Sequence, residues 1–173
     1  MRTSLSLAAL ATLVASTVAA PALKERADIA PNGSVRSEDT TQVQYSPAAD
    51  WTRLSGLDET TYNGGTESYT HEADGAYIFP YDSQANWLAI NAAKKADRGF
   101  FDVYYAEELI GVGDAHSDCV GNNCPSERIF EISSLPYKEG FDTVTVRNRA
   151  GDYRLPDGQV PVLAFDVALW QQL

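Results

Sequence analysis

The chain has 173 residues, a length that fits one domain with additional terminal segments. It carries 24 Asp and Glu against 13 Lys and Arg, which gives a formal net charge of −11 at pH 7. A charge this negative argues against nucleic acid and anionic membranes as partners, because both would be repelled by the protein surface.

The first twenty residues have the pattern of a secretory signal peptide. Arg2 gives a positive start, an apolar run follows, and small residues precede Pro21 as they do at a cleavage site. The run is too short for a membrane-spanning helix, and no second run of that length follows in the sequence. We therefore expect a signal peptide over residues 1–20 and a soluble, secreted, extracellular protein.

Residues 21–42 are polar and contain no aromatic residue. Such a composition is poor in groups that can form a core, so we predict a flexible leader here and a folded domain over residues 43–173. Asn32, in "NGS", is a candidate glycosylation site within this leader.

From residue 43 onward, short alternating segments are separated by clusters of Gly, Asn, Asp and Pro. Alternation with a period of two is typical of strands that bury one face. Three segments are expected to place these residues on one face each: Tyr77, Phe79 and Tyr81; Phe101, Val103 and Tyr105; and Leu163, Phe165, Val167 and Leu169. Many short strands joined by turns predict an all-β sandwich or barrel.

The segment "SQANWLAINAAKKADRG" has an alternative interpretation as a helix, because it is rich in Ala and ends at Gly99. We prefer a strand for "NWLAI" and a loop or short turn for "AAKKADRG".

Five stretches occur in a recognisable order: "VQYSPAADW", "TYNGGTESYTHEADGAYIFPYDSQANWLAI", "RGFFDVYYAEELIGVGDAHS", "RIFEISSLPYKEGFDTVTVRN" and "VLAFDVALW". Together they resemble the galactose-binding-like jelly-roll domains of fungal secreted and cell-surface proteins, over Val43 to Trp170. The chain departs from that pattern at Ala106–Glu108, where the family has an Asp-Gly turn, and at Asp142-Thr143, where it has His-Thr.

The resemblance implies a jelly-roll β-sandwich of about eight strands that often binds glycans on one rim. It does not imply catalysis. The fold often holds a structural calcium, which stays possible here, but the sequence has no D-x-D-x-D run and no cofactor is assigned.

The stretch "DAHSDCVGNNCPSERIF" contains both cysteines. In a secreted protein we expect Cys119 and Cys124 to form a disulfide that pins one surface loop. Asp114, His116 and Asp118 would share a face of an extended strand, which makes them weak candidates for a metal site. We prefer a disulfide-pinned surface loop in which His116 is exposed.

Aromatic residues are the better indication of a binding site, since sugar rings stack on flat aromatic faces. Trp51, Tyr62 and Trp87 lie at or near predicted loop edges and are the candidate ligand-binding residues; the alternative is that they plug the ends of the sandwich. Asp166 lies between apolar residues and is expected to be buried and hydrogen-bonded. No catalytic residue is assigned, since no G-x-S-x-G nucleophile motif occurs.

Three functions remain open from the sequence. The first is a secreted non-catalytic module that recognises a glycan or extracellular surface. The second is a secreted effector or structural protein that acts by protein contact, and the third is a small β-sandwich hydrolase or lyase. The sequence does not indicate an oligomeric state.

Overall fold

A computed structural model describes residues 33–121, 123–139 and 143–173. The predicted signal peptide, Asn32 and the departure at Asp142 lie outside these residues. Short 3₁₀ turns cover Ala48–Asp50 and Asn63–Gly65. The strands are β1 (Gly33–Arg36), β2 (Gln44–Ser46), β3 (Thr52–Ser55), β4 (Thr66–Thr70), β5 (Ala76–Pro80), β6 (Trp87–Ala93), β7 (Phe100–Tyr105), β8 (Glu108–Asp114), β9 (Ser126–Ser133), β10 (Thr143–Asn148), β11 (Leu163–Phe165) and β12 (Val167–Gln171).

The strands form an antiparallel β-sandwich. A four-stranded sheet has the order β1-β12-β6-β9, a five-stranded sheet has the order β2-β5-β10-β7-β8, and a three-stranded sheet has the order β11-β4-β3. The predicted all-β sandwich is confirmed. More strands form than the eight expected, because several short edge strands carry too little alternation to be recognised in the sequence.

The alternating residues of the central strands build the core. Tyr77 and Phe79 of β5 and Val103 of β7 are fully buried, as the period-two pattern predicts. The Tyr77 ring stacks on that of Phe165 at a centroid distance of 4.5 Å, which joins the five-stranded sheet to the closing strands. Large aromatic side chains thus supply much of the apolar area that holds the sheets together.

The segment with the helical alternative is a strand. β6 extends from Trp87 to Ala93 and pairs with β12 on one side and with β9 on the other. The composition of this segment favours a helix, but β6 lies between two hydrogen-bonded partner strands. Because this tertiary pairing outweighs local propensity, the segment forms a strand.

The closing strand differs from the expected single face. It breaks at Asp166, and beyond the break Ala168 and Trp170 join the core while Leu169 is only half-buried. The side chain of Asp166 bonds to Asn63 and Ser126, and the alternation resumes one residue later. The prediction that Val167 and Leu169 continue the core-facing side of the strand is therefore wrong beyond Asp166.

The predicted leader overlaps the sandwich. β1 pairs with β12 at an edge of the four-stranded sheet, Val35 is buried, and the Ser37 amide donates to the Asp166 carbonyl at 2.7 Å. Residues 33–42 therefore lie in the domain. A four-residue strand with one buried apolar residue has no period that sequence reasoning can detect.

In the part of the chain that the structure describes, no helix is both long and apolar enough to cross a membrane.

Candidate functional site

One end of the sandwich, which we call the disulfide rim, is formed by residues 94–99, 115–121, 123–125 and 149–162. The strand registers bring these loops together: Ala93 of β6 lies opposite Ser126, and Phe100 of β7 lies opposite Asp114. The opposite end carries the β7–β8 turn and the β9–β10 loop.

The predicted disulfide is confirmed. Cys119 and Cys124 are bonded with their Cα atoms 5.8 Å apart. The loop is tied on both sides, because the Ala96 amide donates to the Cys119 carbonyl at 2.9 Å and the Tyr62 hydroxyl donates to the Cys124 carbonyl at 2.5 Å. This six-residue ring therefore fixes a local position within the rim.

Asp114 and His116 have partners within the protein. The Asp114 carboxylate accepts hydrogen bonds from Arg154, and one ring nitrogen of His116, Nδ1, lies 3.1 Å from the Arg98 carbonyl. His116 is half-buried, which corrects the expectation of an exposed ring; its backbone bridges to Lys95 and holds the ring against the 95–98 turn. Asp118 is exposed. Among the residues that the structure describes, no three His, Cys, Asp or Glu side chains converge as metal ligands would.

Arg154 ties two loops of the rim together. Its Nη1 and Nη2 atoms donate to the Asp114 carboxylate at 2.8 and 2.9 Å, and its Nε donates to Asp152 at 2.9 Å. The guanidinium also lies over the Phe100 ring, 4.2 Å from its centroid. The guanidinium edge is thus bonded to two carboxylates and one of its faces packs on an aromatic ring, so it acts as a fixed cross-link.

The carboxylates around Arg154 are held in the ionised form. Hydrogen bonds from Arg154 lower the pKa of Asp152 to about 2. Burial raises the pKa of Asp114, but the hydrogen bonds from Arg154 and the His116 amide outweigh it, so the net shift is downward. Neither group is poised to exchange a proton near neutral pH.

Beside this cross-link lies an open hollow of about 380 Å³, lined by residues 151–153 and 155–160. Its floor is a tight turn in which the Gln159 amide donates to the Pro156 carbonyl at 2.9 Å, with Gly158 at a φ of +81°. Tyr153, on its wall, is 89% exposed. An exposed aromatic ring next to an open hollow is a surface on which a sugar ring can stack.

The three aromatic candidates from the sequence do not form one patch. The Tyr62 side chain is buried, and burial raises its pKa to about 12, so its ring packs inside the protein as the plugging alternative describes. Trp51 is half-buried and packs on Tyr45 with centroids 4.6 Å apart. Trp87 is also half-buried, but lies on β6 at the end away from the disulfide rim, six residues or roughly 20 Å from Ala93.

Trp87 has partners of its own. Its indole nitrogen donates to Glu131 at 2.8 Å, and the Arg128 guanidinium lies 5.1 Å from its ring centroid. This arrangement covers part of the ring on the outer face of the four-stranded sheet.

Asp166 is buried and hydrogen-bonded, as expected. It accepts from the Asn63 amide at 3.1 Å and from the Ser126 hydroxyl at 2.5 Å. Burial is the dominant effect on this carboxyl and raises its pKa. Because its side chain does not reach the surface, it has a structural role and cannot contact a substrate.

Sequence reasoning missed Tyr153, Asp152 and Arg154. The segment "GDYRLPDG" was recognised only for its turn chemistry. A tyrosine between the Gly151-Asp152 pair and a Pro-Asp-Gly turn, within a polar stretch, is the signal that could have indicated it.

No family model matches the sequence, and no curated protein matches it. Solved structures with a similar fold include the catalytic domain of a GH87 alpha-1,3-glucanase variant in complex with tetrasaccharides (11% identity, TM-score 0.55), which covers 83% of this chain and 28% of that one. The catalytic unit of the GH87 enzyme from Streptomyces thermodiastaticus is 18% identical with a TM-score of 0.52, covering 83% of this chain and 26% of that one.

A third similar structure is CsCBM6-3 from Clostridium stercorarium in complex with cellobiose, at 12% identity and a TM-score of 0.45, covering 82% of this chain and 94% of that one. The chain thus spans about a quarter of the length of the glucanase structures. At these identities the likeness to the glucanase domains establishes a shared β-sandwich fold and nothing further.

Proposed function

We propose that this protein is a secreted, non-catalytic module that binds a glycan in the hollow of the disulfide rim. A shared fold does not assign a ligand. The proposal therefore rests on one observation: the exposed Tyr153 ring lines an open hollow that combines apolar and polar groups and whose flanks are fixed.

The chemistry of the hollow fits a sugar. The Tyr153 ring can stack against the apolar CH face of a pyranose, while Gln159 and the backbone of the turn offer donors and acceptors to hydroxyl groups. The hollow is shallow and open, which suits one or two sugar units of a longer chain.

The enzyme alternative has less support. Two carboxylates lie at Arg154: Asp152, which lines the hollow, and Asp114, which does not; both are bonded to Arg154 and keep lowered pKa values. A glycosidase acid needs a raised pKa at a position that touches the substrate. Asp166 has a raised pKa, but it is buried behind the Asn63 segment.

Protein contact is a second candidate, and one observation favours it. Leu109 and Val112, both on the edge strand β8, are 51% and 42% exposed on the outer face of the five-stranded sheet. Exposed apolar side chains on a sheet edge are a common feature of protein-binding surfaces.

The test is a binding screen of the secreted protein against glycans and insoluble cell-wall polysaccharides, followed by a comparison of Tyr153→Ala with Tyr137→Ala. Tyr137 is a matched control, since it is 63% exposed and lies in the β9–β10 loop at the opposite end. We expect Tyr153→Ala to weaken binding about five- to ten-fold, a usual magnitude for loss of one stacking contact. Tyr137→Ala should have no effect.

Equal loss in both variants, or binding that depends on Trp87 and not on Tyr153, would place the site elsewhere. Absence of binding to any glycan would refute the module and favour a protein partner at β8.

A parallel screen with a chelator tests the structural calcium that the sequence left possible.

A further inference from the structure

We infer that the hollow selects a sugar that bears an amine, and that Asp157 is the residue that makes this selection. This inference rests on the proposed function, because it specifies the ligand of the same hollow. It follows from the charges that surround Tyr153.

The lining of the hollow is acidic. Asp152 and Asp157 are its charged residues, and no Lys, Arg or His is among the lining residues that the structure describes. A carboxylate on a bound sugar would therefore approach the Asp157 carboxylate without a lining cation to offset the repulsion, since Arg154 already compensates the charge of Asp152.

The two neighbouring arginines, Arg149 and Arg154, are already engaged. Arg154 gives its donors to Asp114 and Asp152 and its face to Phe100. Lys94 lies near Asp114 and contributes to the lowering of that residue's pKa. Arg149 pairs with Asp102, with 3.1 Å between its Nη2 and Oδ1. An incoming uronic acid could gain Arg149 or Arg154 only by breaking an existing ion pair, and Lys94 is not among the lining residues.

The two carboxylates of the lining differ in availability. Asp152 is buried and uses both oxygens on Arg154. Asp157 is exposed, and within the described part of the chain no hydrogen bond or ion pair engages its side chain. Its charge is therefore free to act on a ligand.

Asp157 is also held in place. It lies between Pro156 and Gly158 in a tight turn. The φ of +81° at Gly158 and the hydrogen bond from the Gln159 amide to the Pro156 carbonyl are typical of a type II turn. A carboxylate on a rigid turn loses little backbone entropy when it binds a cation.

Tyr153 also favours a sugar that bears an amine, since an aromatic face attracts a nearby ammonium group as well as the CH face of a sugar. The Arg154 guanidinium already lies 6.0 Å from the Tyr153 centroid on the protein side. The outer side of the ring is open, and Asp157 lines the same hollow. An amino sugar of the glucosamine type satisfies both the ring and the carboxylate.

The experiment compares three oligosaccharide probes by calorimetry at low salt, at a pH where the amine is protonated: a glucosamine hexamer, an N-acetylglucosamine hexamer and a galacturonic acid hexamer. The first two differ only in the charge and acetylation of the nitrogen. We expect the wild type to bind the glucosamine hexamer about two- to five-fold more tightly than the acetylated one, the usual range for one exposed ion pair, and to reject the uronic acid. The preference should shrink as salt is added.

Asp157→Asn should abolish the preference by lowering the affinity for the glucosamine hexamer to that for the N-acetylglucosamine hexamer. The matched control is Glu107→Gln, which removes the same charge from the exposed β7–β8 turn at the opposite end. If Glu107→Gln reduces the preference equally, the overall charge of the protein causes it and the role of Asp157 is refuted.

The inference and the proposed function fail in different ways. Binding that requires Tyr153 but is equal for the two glucosamine-based probes refutes the inference alone. Binding of none of the probes, combined with no effect of Tyr153→Ala in the polysaccharide screen, refutes both.

Discussion

Removal of the Arg98 guanidinium should destabilise the protein more than any other single loss of charge. Arg98 and Glu67 are almost completely buried, and they form a bidentate pair with distances of 2.8 and 2.7 Å. Arg98→Met leaves the Glu67 carboxylate in the interior with the Ala93 amide, at 2.9 Å, as its remaining donor. Breaking a buried pair in this way costs about 3–5 kcal/mol, against a total stability of about 5–15 kcal/mol for a typical domain.

The assay is urea denaturation of the wild type, of Arg98→Met, and of the double variant Glu67→Leu with Arg98→Met. The double variant should recover much of the loss, because it removes both charges and not only one. Arg128→Met is the matched control: Arg128 also pairs with a glutamate, Glu131, at 3.1 Å, but on the surface. It should change the free energy of unfolding very little.

A loss below about 1 kcal/mol for Arg98→Met would refute this reasoning, since the penalty for an unpaired buried carboxylate is larger than that. A double variant as unstable as the single one would also contradict it. In that case the loss would come from packing and not from the stranded charge.

Two further predictions concern the β7–β8 turn and the stability of the protein at acidic pH. Ala106 and Glu107 both have positive φ, so replacing them with Asn-Gly should raise the free energy of unfolding, measured in urea, by about 1–2 kcal/mol. An unchanged free energy of unfolding would contradict the positive φ values at this turn. Asp152, whose pKa Arg154 lowers from 3.8 to about 2, stabilises the fold above pH 4 and loses that contribution as pH falls towards 2. In urea titrations from pH 5 to 2, the free energy of unfolding of the wild type should fall towards that of Asp152→Asn. A constant difference between the two proteins over this pH range would contradict the prediction.

Much of the core was predictable because it depends on local alternation. Tyr77, Phe79 and Val103 are buried in strands long enough to display a period of two. β1 was not predictable, since its assignment depends on pairing with β12, more than 130 positions away in the chain. The change of face after Asp166 likewise depends on a side-chain bond to Asn63.

The site was less predictable than the core for the same reason. The disulfide could be predicted from two cysteines in a chain with a predicted signal peptide, because no other pairing exists within the sequence. Whether Tyr62 faces a ligand or the interior depends on its contact with Cys124, 62 residues away. The partnership of Arg154 with Asp114 spans 40 residues and leaves no local pattern.

These long-range contacts also explain how a small hollow could bind a ligand. The loop that carries Tyr153 is fixed at its first turn by Arg154, through Asp114, and at its far end by Asn148, whose side-chain amide donates to the carbonyls of Glu72 and Pro161 at 2.9 and 2.7 Å. A loop that is ordered before binding does not pay the entropy of ordering when the ligand arrives. For the proposed ligand, we therefore expect a few contacts from Tyr153 and the turn to give measurable affinity, whereas the same residues on a mobile loop would lose most of it.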